Sequence, residues 1–179
     1  YWHREYDYGE LGCIYELADG LGVAAGLHEY FRQSDLIHMA HYAQTVNVIG
    51  AIKTTKTAAE METTGLVLQM YRAHFGQIPL SVEQLSGGAD VSAALTKDGK
   101  ALTIGVMSPS STELELKPSL AGAVLSGAAT RWHVTGPNAE SHNTPGQPRV
   151  VDLKRTDGLS ASDLRVPPLS AAVFVLPLK

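Results

Sequence analysis

The residues that offer chemistry stand mostly in the first half of the chain. Five carboxylates come early: Glu5, Asp7, Glu10, Glu16 and Asp19. A pair of such groups can serve as general acid and base, or as acid and nucleophile. Clustered acids also form solvated faces and complement helix N-termini. His38 and His41 are three residues apart, with Asp35 close by. On a helix the two imidazoles share a face and can ligate a metal. On a strand they point to opposite faces and cannot. No third ligand has a recognised spacing, so no metal is expected. Gln44 and Asn47 interrupt an apolar stretch. A buried amide left without partners costs about 1–3 kcal/mol. Each amide therefore bonds to neighbouring backbone or is turned toward a polar ligand.

The remaining candidates are sparser. Cys13 is the single cysteine. It has no evident catalytic partner and excludes an internal disulfide. Neither a Gly-rich phosphate loop nor a G-x-S-x-G elbow is present, and no cofactor is expected. His142 sits among Pro and Asn and reads as a surface residue. Trp132 reads as packing in a sheet, with a sugar-stacking platform as the alternative.

These residues need elements to position them, and composition divides the 179-residue chain near Pro79. Residues 1–79 hold ten of the twelve aromatics and one of the nine prolines, with five basic against nine acidic residues. Residues 80–179 hold two aromatics and eight prolines, with nine basic and nine acidic residues. Two units are expected, 1–79 and 80–179. The net charge of -4 gives no basic footprint for nucleic acid. No apolar run approaches the ~20 residues of a membrane-spanning helix. The opening residues lack a basic stretch followed by an apolar one, so no signal peptide is expected in them.

In the first unit, Leu17, Leu21, Ala24, Ala25, Leu27 and Phe31 recur at helical spacing. They predict a helix over 17–33. Gly20, Gly22 and Gly26 weaken it by up to ~1 kcal/mol each, which close packing would offset. Residues 36–49 read as a buried strand followed by a loop, or as a second helix. Residues 53–60 read as a loop. Leu68, Tyr71 and Phe75 predict a helix over 64–75, stopped by Gly76. A lone strand leaves its backbone groups unpaired. The unit therefore has the form of the end of an α/β barrel, completed from elsewhere.

The second unit reads as strands over 91–95, 101–107, 113–116, 129–134 and 172–176. Asp98-Gly99 marks a hairpin between the first two. Short strands separated by Gly and Pro predict an antiparallel β-sandwich. Residues 120–129, rich in Gly, Ala and Ser, read as an edge or turn.

Several motifs match in order along nearly the whole chain. Ala43-Gln44-Thr45-Val46-Asn47-Val48, preceded by Asp35-Leu36-Ile37-His38-Met39-Ala40, resembles the last barrel strand of glycoside hydrolase family 51. Trp2-His3-Arg4-Glu5 resembles the segment after that family's nucleophile strand. Met70-Tyr71-Arg72-Ala73-His74 resembles the helix that closes the barrel. Asn143-Thr144, Pro148 and Val150 resemble a motif of the C-terminal sandwich, with Ser141 and His142 replacing the usual residues. Pro167-Pro168-Leu169-Ser170 resembles the approach to its final strand.

The resemblance implies the end of a (β/α)8 barrel followed by an antiparallel, jelly-roll-like sandwich. It implies an α-L-arabinofuranosidase acting with retention on arabinan or arabinoxylan, through two glutamates ~5–5.5 Å apart. By the match, the nucleophile and the acid/base both lie upstream of Tyr1, and Glu5 is not the nucleophile. Gln44 corresponds to the glutamine that hydrogen-bonds the arabinofuranosyl unit in the -1 subsite; Trp2 and His3 fall on the rim of the same cleft. The expected partners are an arabinose-containing polysaccharide or oligosaccharide and the N-terminal part of the same enzyme. Family members are often trimers or hexamers. Glu62-Thr63-Thr64-Gly65 departs from the family's frequent T-P-T-Y, and the local loop and substrate contacts should differ there. The alternatives are β-xylosidase or endoglucanase specificity on the same scaffold, or a non-catalytic carbohydrate-binding sandwich.

Overall fold

A computed structural model describes residues 12–83 and 88–179. The chain runs α1 (Leu17–Arg32), β1 (Ile52–Thr54), β2 (Ala59–Met61), α2 (Thr63–His74) and β3 (Ile78–Leu80). It continues through β4 (Asp90–Leu95), β5 (Ala101–Ser108), β6 (Leu114–Leu116), β7 (Ala128–Thr135), β8 (Asp152–Ser160), β9 (Leu164–Val166) and β10 (Ser170–Pro177).

Both expected helices form. In α1 the buried positions Leu17, Leu21, Ala24 and His28 make one stripe. The Glu16 backbone N–H donates to the Asp19 carboxylate at 2.8 Å, so two of the early acids organise a helix start. Gly20 lets α1 approach α2: a Cβ there would lie 3.2 Å from the Thr63 carbonyl oxygen. Gly22 and Gly26 face open space instead, so the close packing expected of them is not made.

The main sheet has six antiparallel strands in the order β3-β4-β5-β10-β7-β8. Both helices cover one face. Leu17, Leu21, Leu66, Val67 and Met70 pack there against Val134, Ala171 and Val173. The two-stranded sheet β6-β9 covers the other face. Leu164 and Val166 meet Ile104, Val106, Ala172, Phe174 and Leu176 on that side. The expected antiparallel sandwich is present, with one large layer and one small one. Pro79 lies inside β3, which pairs with β4.

The helix layer is pinned to the sheet by a buried polar chain. Asp90 accepts from His28 Nδ1 at 3.0 Å, and His28 Nε2 lies 2.6 Å from the Tyr71 hydroxyl. A carboxylate only accepts, so the proton sits on Nδ1 and Tyr71 donates to Nε2. Burial lowers the His28 pKa and favours this neutral form. Arg32 also donates to Asp90.

Residues 36–49 correct the sequence reading. They form neither a strand nor a helix, and the isolated bridge Val46–Ile52 is their one β contact among the described residues. Leu36 is 74% exposed and Met39 73%. A strand needs neighbours for its backbone donors and acceptors, and no described strand runs beside this stretch. The barrel itself is therefore absent from the described residues. Residues 53–60, read as a loop, contain parts of the short hairpin β1–β2, with Ile52 opposite Met61. Strand β8 was not anticipated, because Lys154, Arg155, Thr156 and Asp157 break the apolar alternation; as the sheet's edge it keeps an exposed, charged face.

The motif residue Asn143 has a structural task. Its Oδ1 accepts from the Val150 and Val151 N–H groups at 3.0 and 2.9 Å. Its Nδ2 donates to the carbonyls of Val151 and Met61 at 2.8 and 3.2 Å. All four bonds are buried or partly buried, and they tie the hairpin to the sandwich. Asn143→Ala should leave these groups unsatisfied and lower stability by about 1–3 kcal/mol, measured as a shifted urea midpoint with unchanged slope.

Candidate functional site

The amides singled out in the sequence lie in a tight turn built from strained backbone. Gln44, Asn47 and Val48 have φ of 55°, 57° and 47°. Asn tolerates the left-handed region; a β-branched residue such as Val48 is a true outlier there. Such conformations cost about 1–3 kcal/mol each and persist only where the surroundings hold them.

The turn is held from several sides. The Asn47 N–H donates to the Ile52 carbonyl at 2.8 Å, and the Ile52 N–H to the Thr45 carbonyl at 3.0 Å. The Asn47 amide clamps Thr54: Oδ1 accepts from its N–H at 2.8 Å, and Nδ2 donates to Oγ1 at 3.0 Å. Of the two open readings for Asn47, backbone anchoring is the one realised. Gln44, by contrast, is exposed on the open side of the turn.

Below the turn lies a buried ionisable pair that the sequence reading did not find. Lys53 is 2% exposed, and its Nζ donates to the carbonyls of Val48 at 2.9 Å and Gly50 at 3.2 Å. The ammonium also stands 5.2 Å over the Tyr15 ring, in cation–π range. Glu62 is 1% exposed and accepts from the Tyr15 N–H at 2.9 Å. Burial lowers the Lys53 pKa, and it pushes Glu62 up to about 7. The opposite charge of each partner counters its shift. The sole prior signal was the departure of 62–65 from the family pattern; Lys53 lay in a stretch read as a polar loop.

The segment leading into α1 closes against the same turn. The Cys13 N–H donates to the Val48 carbonyl at 2.6 Å. Gly12 has φ of 71°, and a Cβ there would lie 2.1 Å from Val48 Cα. Thr63 Oγ1 donates to the carbonyls of Tyr15 and Glu16 at 3.1 and 2.6 Å. The Tyr15 hydroxyl donates to the Ile49 carbonyl at 3.1 Å. A cleft of about 530 Å³ opens beside this assembly, lined in part by Tyr15, Val23, Leu27, Tyr30, Tyr42 and Leu68.

The other candidates are dispersed. Trp2 and His3 lie outside the described residues, as do Glu5, Asp7 and Glu10. His38 and His41 are exposed. Among the described residues, no group of three or more His, Cys, Asp or Glu is placed to hold a metal. The Cys13 thiol is buried, with its pKa raised chiefly by burial, which disfavours the reactive thiolate. Trp132 stacks on His74 with ring centres 3.9 Å apart, and the Arg155 guanidinium sits 5.2 Å from its ring. Its ring is engaged by protein, so the packing role is the one realised.

The architecture of two helices on an antiparallel sandwich, with the strained turn at its open end, agrees with the order of the sequence motifs. The family described as "Alpha-L-arabinofuranosidase C-terminal domain" matches residues 1–170. The chain belongs to this family. A probable α-L-arabinofuranosidase C from Aspergillus flavus is 29% identical over 160 aligned residues, covering 79% of this chain and 31% of that protein. The chain thus spans about a third of the length of the curated relatives it matches. The crystal structure of an α-L-arabinofuranosidase from Thermotoga maritima, an arabinose complex, superposes with a TM-score of 0.81 at 25% identity. That match covers 98% of this chain and 41% of the other. A thermostable family 51 α-L-arabinofuranosidase from Thermotoga petrophila gives a TM-score of 0.78 at 25% identity, covering 93% and 39%. This family membership agrees with the resemblance that the motifs carry.

The buried carboxyl group of Glu62 makes a testable mark on stability. Its folded pKa of about 7 lies above the ordinary 4.5. Its contribution is fully present below the ordinary value and is lost as pH rises through the folded one. Glu62→Gln should therefore flatten the decline in thermal midpoint between about pH 5 and 7. Parallel melts of the two proteins across that range check this.

Proposed function

We propose that this chain is the C-terminal part of a retaining glycosidase that releases terminal α-L-arabinofuranosyl residues from arabinan or arabinoxylan. The observation that carries the reading is the superposition of 98% of the chain on the Thermotoga maritima arabinofuranosidase. The nucleophile and the acid/base glutamate come from the part of the protein preceding Tyr1, with no metal or cofactor. That part also completes the barrel around residues 36–49 and covers the exposed Leu36, Met39 and Val46. An apolar group of this kind, left in water, marks an interaction surface.

In this reading the Gln44 side chain, exposed on the strained turn, enters the -1 subsite. An amide both donates and accepts, which suits a sugar hydroxyl. The strain at 44–48 is consistent with that role, since such backbone gathers at ligand-binding positions. The complete enzyme assembles as a trimer or hexamer.

Two outcomes test the proposal. The complete protein should hydrolyse an aryl α-L-arabinofuranoside faster than the matching xyloside or glucoside, whereas residues 1–179 alone should release nothing. A preference for xyloside or glucan would replace the specificity; binding to arabinoxylan without hydrolysis by the complete protein would make the module non-catalytic. In the complete enzyme, Gln44→Ala should lower kcat/KM by about 1–3 kcal/mol, the scale of one buried hydrogen bond. An unchanged rate would remove Gln44 from the subsite.

A further inference from the structure

The Lys53–Glu62 pair is hard to explain as a device for stability alone. Lysine is among the residues least often fully buried. Burying an ionisable group costs free energy that well-packed apolar side chains of similar volume would not. What the pair does have is position. Lys53 follows Ile52 and precedes Thr54, the two residues that hold the turn through backbone and Asn47 contacts. Its three-donor ammonium reaches over that turn to the carbonyls of Val48 and Gly50. These flank Ile49, whose own carbonyl accepts from Tyr15. Glu62 holds the Tyr15 backbone from the opposite side. The two buried groups thus join the segment 12–16 to the turn 44–50.

Left-handed backbone at Asn47 and Val48 relaxes when its anchors are removed. Gln44, exposed and itself at φ 55°, stands three residues upstream of Asn47 in the same strained segment. We infer that Lys53 is a positioning residue for Gln44: its ammonium group, with the Glu62 carboxyl group holding the adjoining Tyr15 backbone, fixes the turn 45–50 so that the Gln44 amide meets the sugar. The inference rests on the arabinofuranosidase reading and names a residue that touches no substrate.

The test is a double-mutant cycle in the complete enzyme with an aryl α-L-arabinofuranoside, comparing Gln44→Ala, Lys53→Met and the double variant. Rates are taken per folded molecule, from near-ultraviolet circular dichroism. Lys53→Met should lower kcat/KM about tenfold, and the double variant should fall within about twofold of Gln44→Ala, since both changes remove one interaction. Lys53→Arg, which retains donors to both carbonyls, should recover most of the rate. If Lys53→Met fails to fold, the cycle is run with Lys53→Gln. A Lys53 variant at the wild-type rate overturns the inference, as do effects that multiply in the double variant. Should Lys53→Arg lose as much rate as Lys53→Met, the inference also fails. A normal rate in Gln44→Ala instead sinks the subsite reading itself, and the two failures are thereby told apart.

Discussion

Strand β10 is the constraint on which the rest of the fold depends. It pairs with β5 along one edge and β7 along the other, and protein covers both its faces. Ala171 and Val173 face the helices; Ala172, Phe174 and Leu176 face the small sheet. All five are fully buried. A strand buried on two faces must be apolar throughout rather than alternating, as Ala171-Ala172-Val173-Phe174-Val175-Leu176 is. It is also the last strand of the chain, so the two cores on either side of the sheet close only when the C-terminal segment is in place.

The helix layer illustrates how polar groups are accommodated in such an interior. His28, Tyr71 and Asp90 come from α1, α2 and β4, and each satisfies the next. Gly105 of β5 leaves room for them: a Cβ there would lie 2.8 Å from His28 Nε2 and 2.9 Å from Tyr71 Cε1. Lys53 and Glu62 follow a different logic. They are buried against backbone rather than against each other's hydrogen-bonding atoms, and their cost is borne where the chain turns most sharply. Strained turn, buried ammonium and glycine at position 12 form one unit, because each occupies space or satisfies groups that the others leave.

Residues 36–49 stand apart from both cores. Their composition is that of a buried strand, yet Leu36, Met39 and Val46 lie exposed. The same pattern that makes a segment suitable for a sheet interior leaves it unpaired where no neighbouring strand is described. Hydrophobicity specifies that a segment should be covered; it does not supply the cover. This separation explains why the chain's own core is complete around the sandwich and helices but open at the end where the turn and its cleft lie.

Local pattern alone determined much of this protein. Both helices, the Asp98-Gly99 hairpin, the strands around β10 and the family membership were legible, because period, turn chemistry and motif order are properties of neighbouring residues. Gln44 drew notice as an amide in an apolar stretch, but its exposure on a left-handed turn was not legible. Lys53 and Glu62 were invisible as a pair, since a lysine in a Thr-rich stretch reads as solvated until the fold places carbonyls around it. Asn143 was visible as a motif residue, but its task emerged only when Met61, distant in sequence, came within reach of its amide. Charge and backbone strain at these positions depend on what lies around them in space, and that arrangement belongs to the tertiary structure.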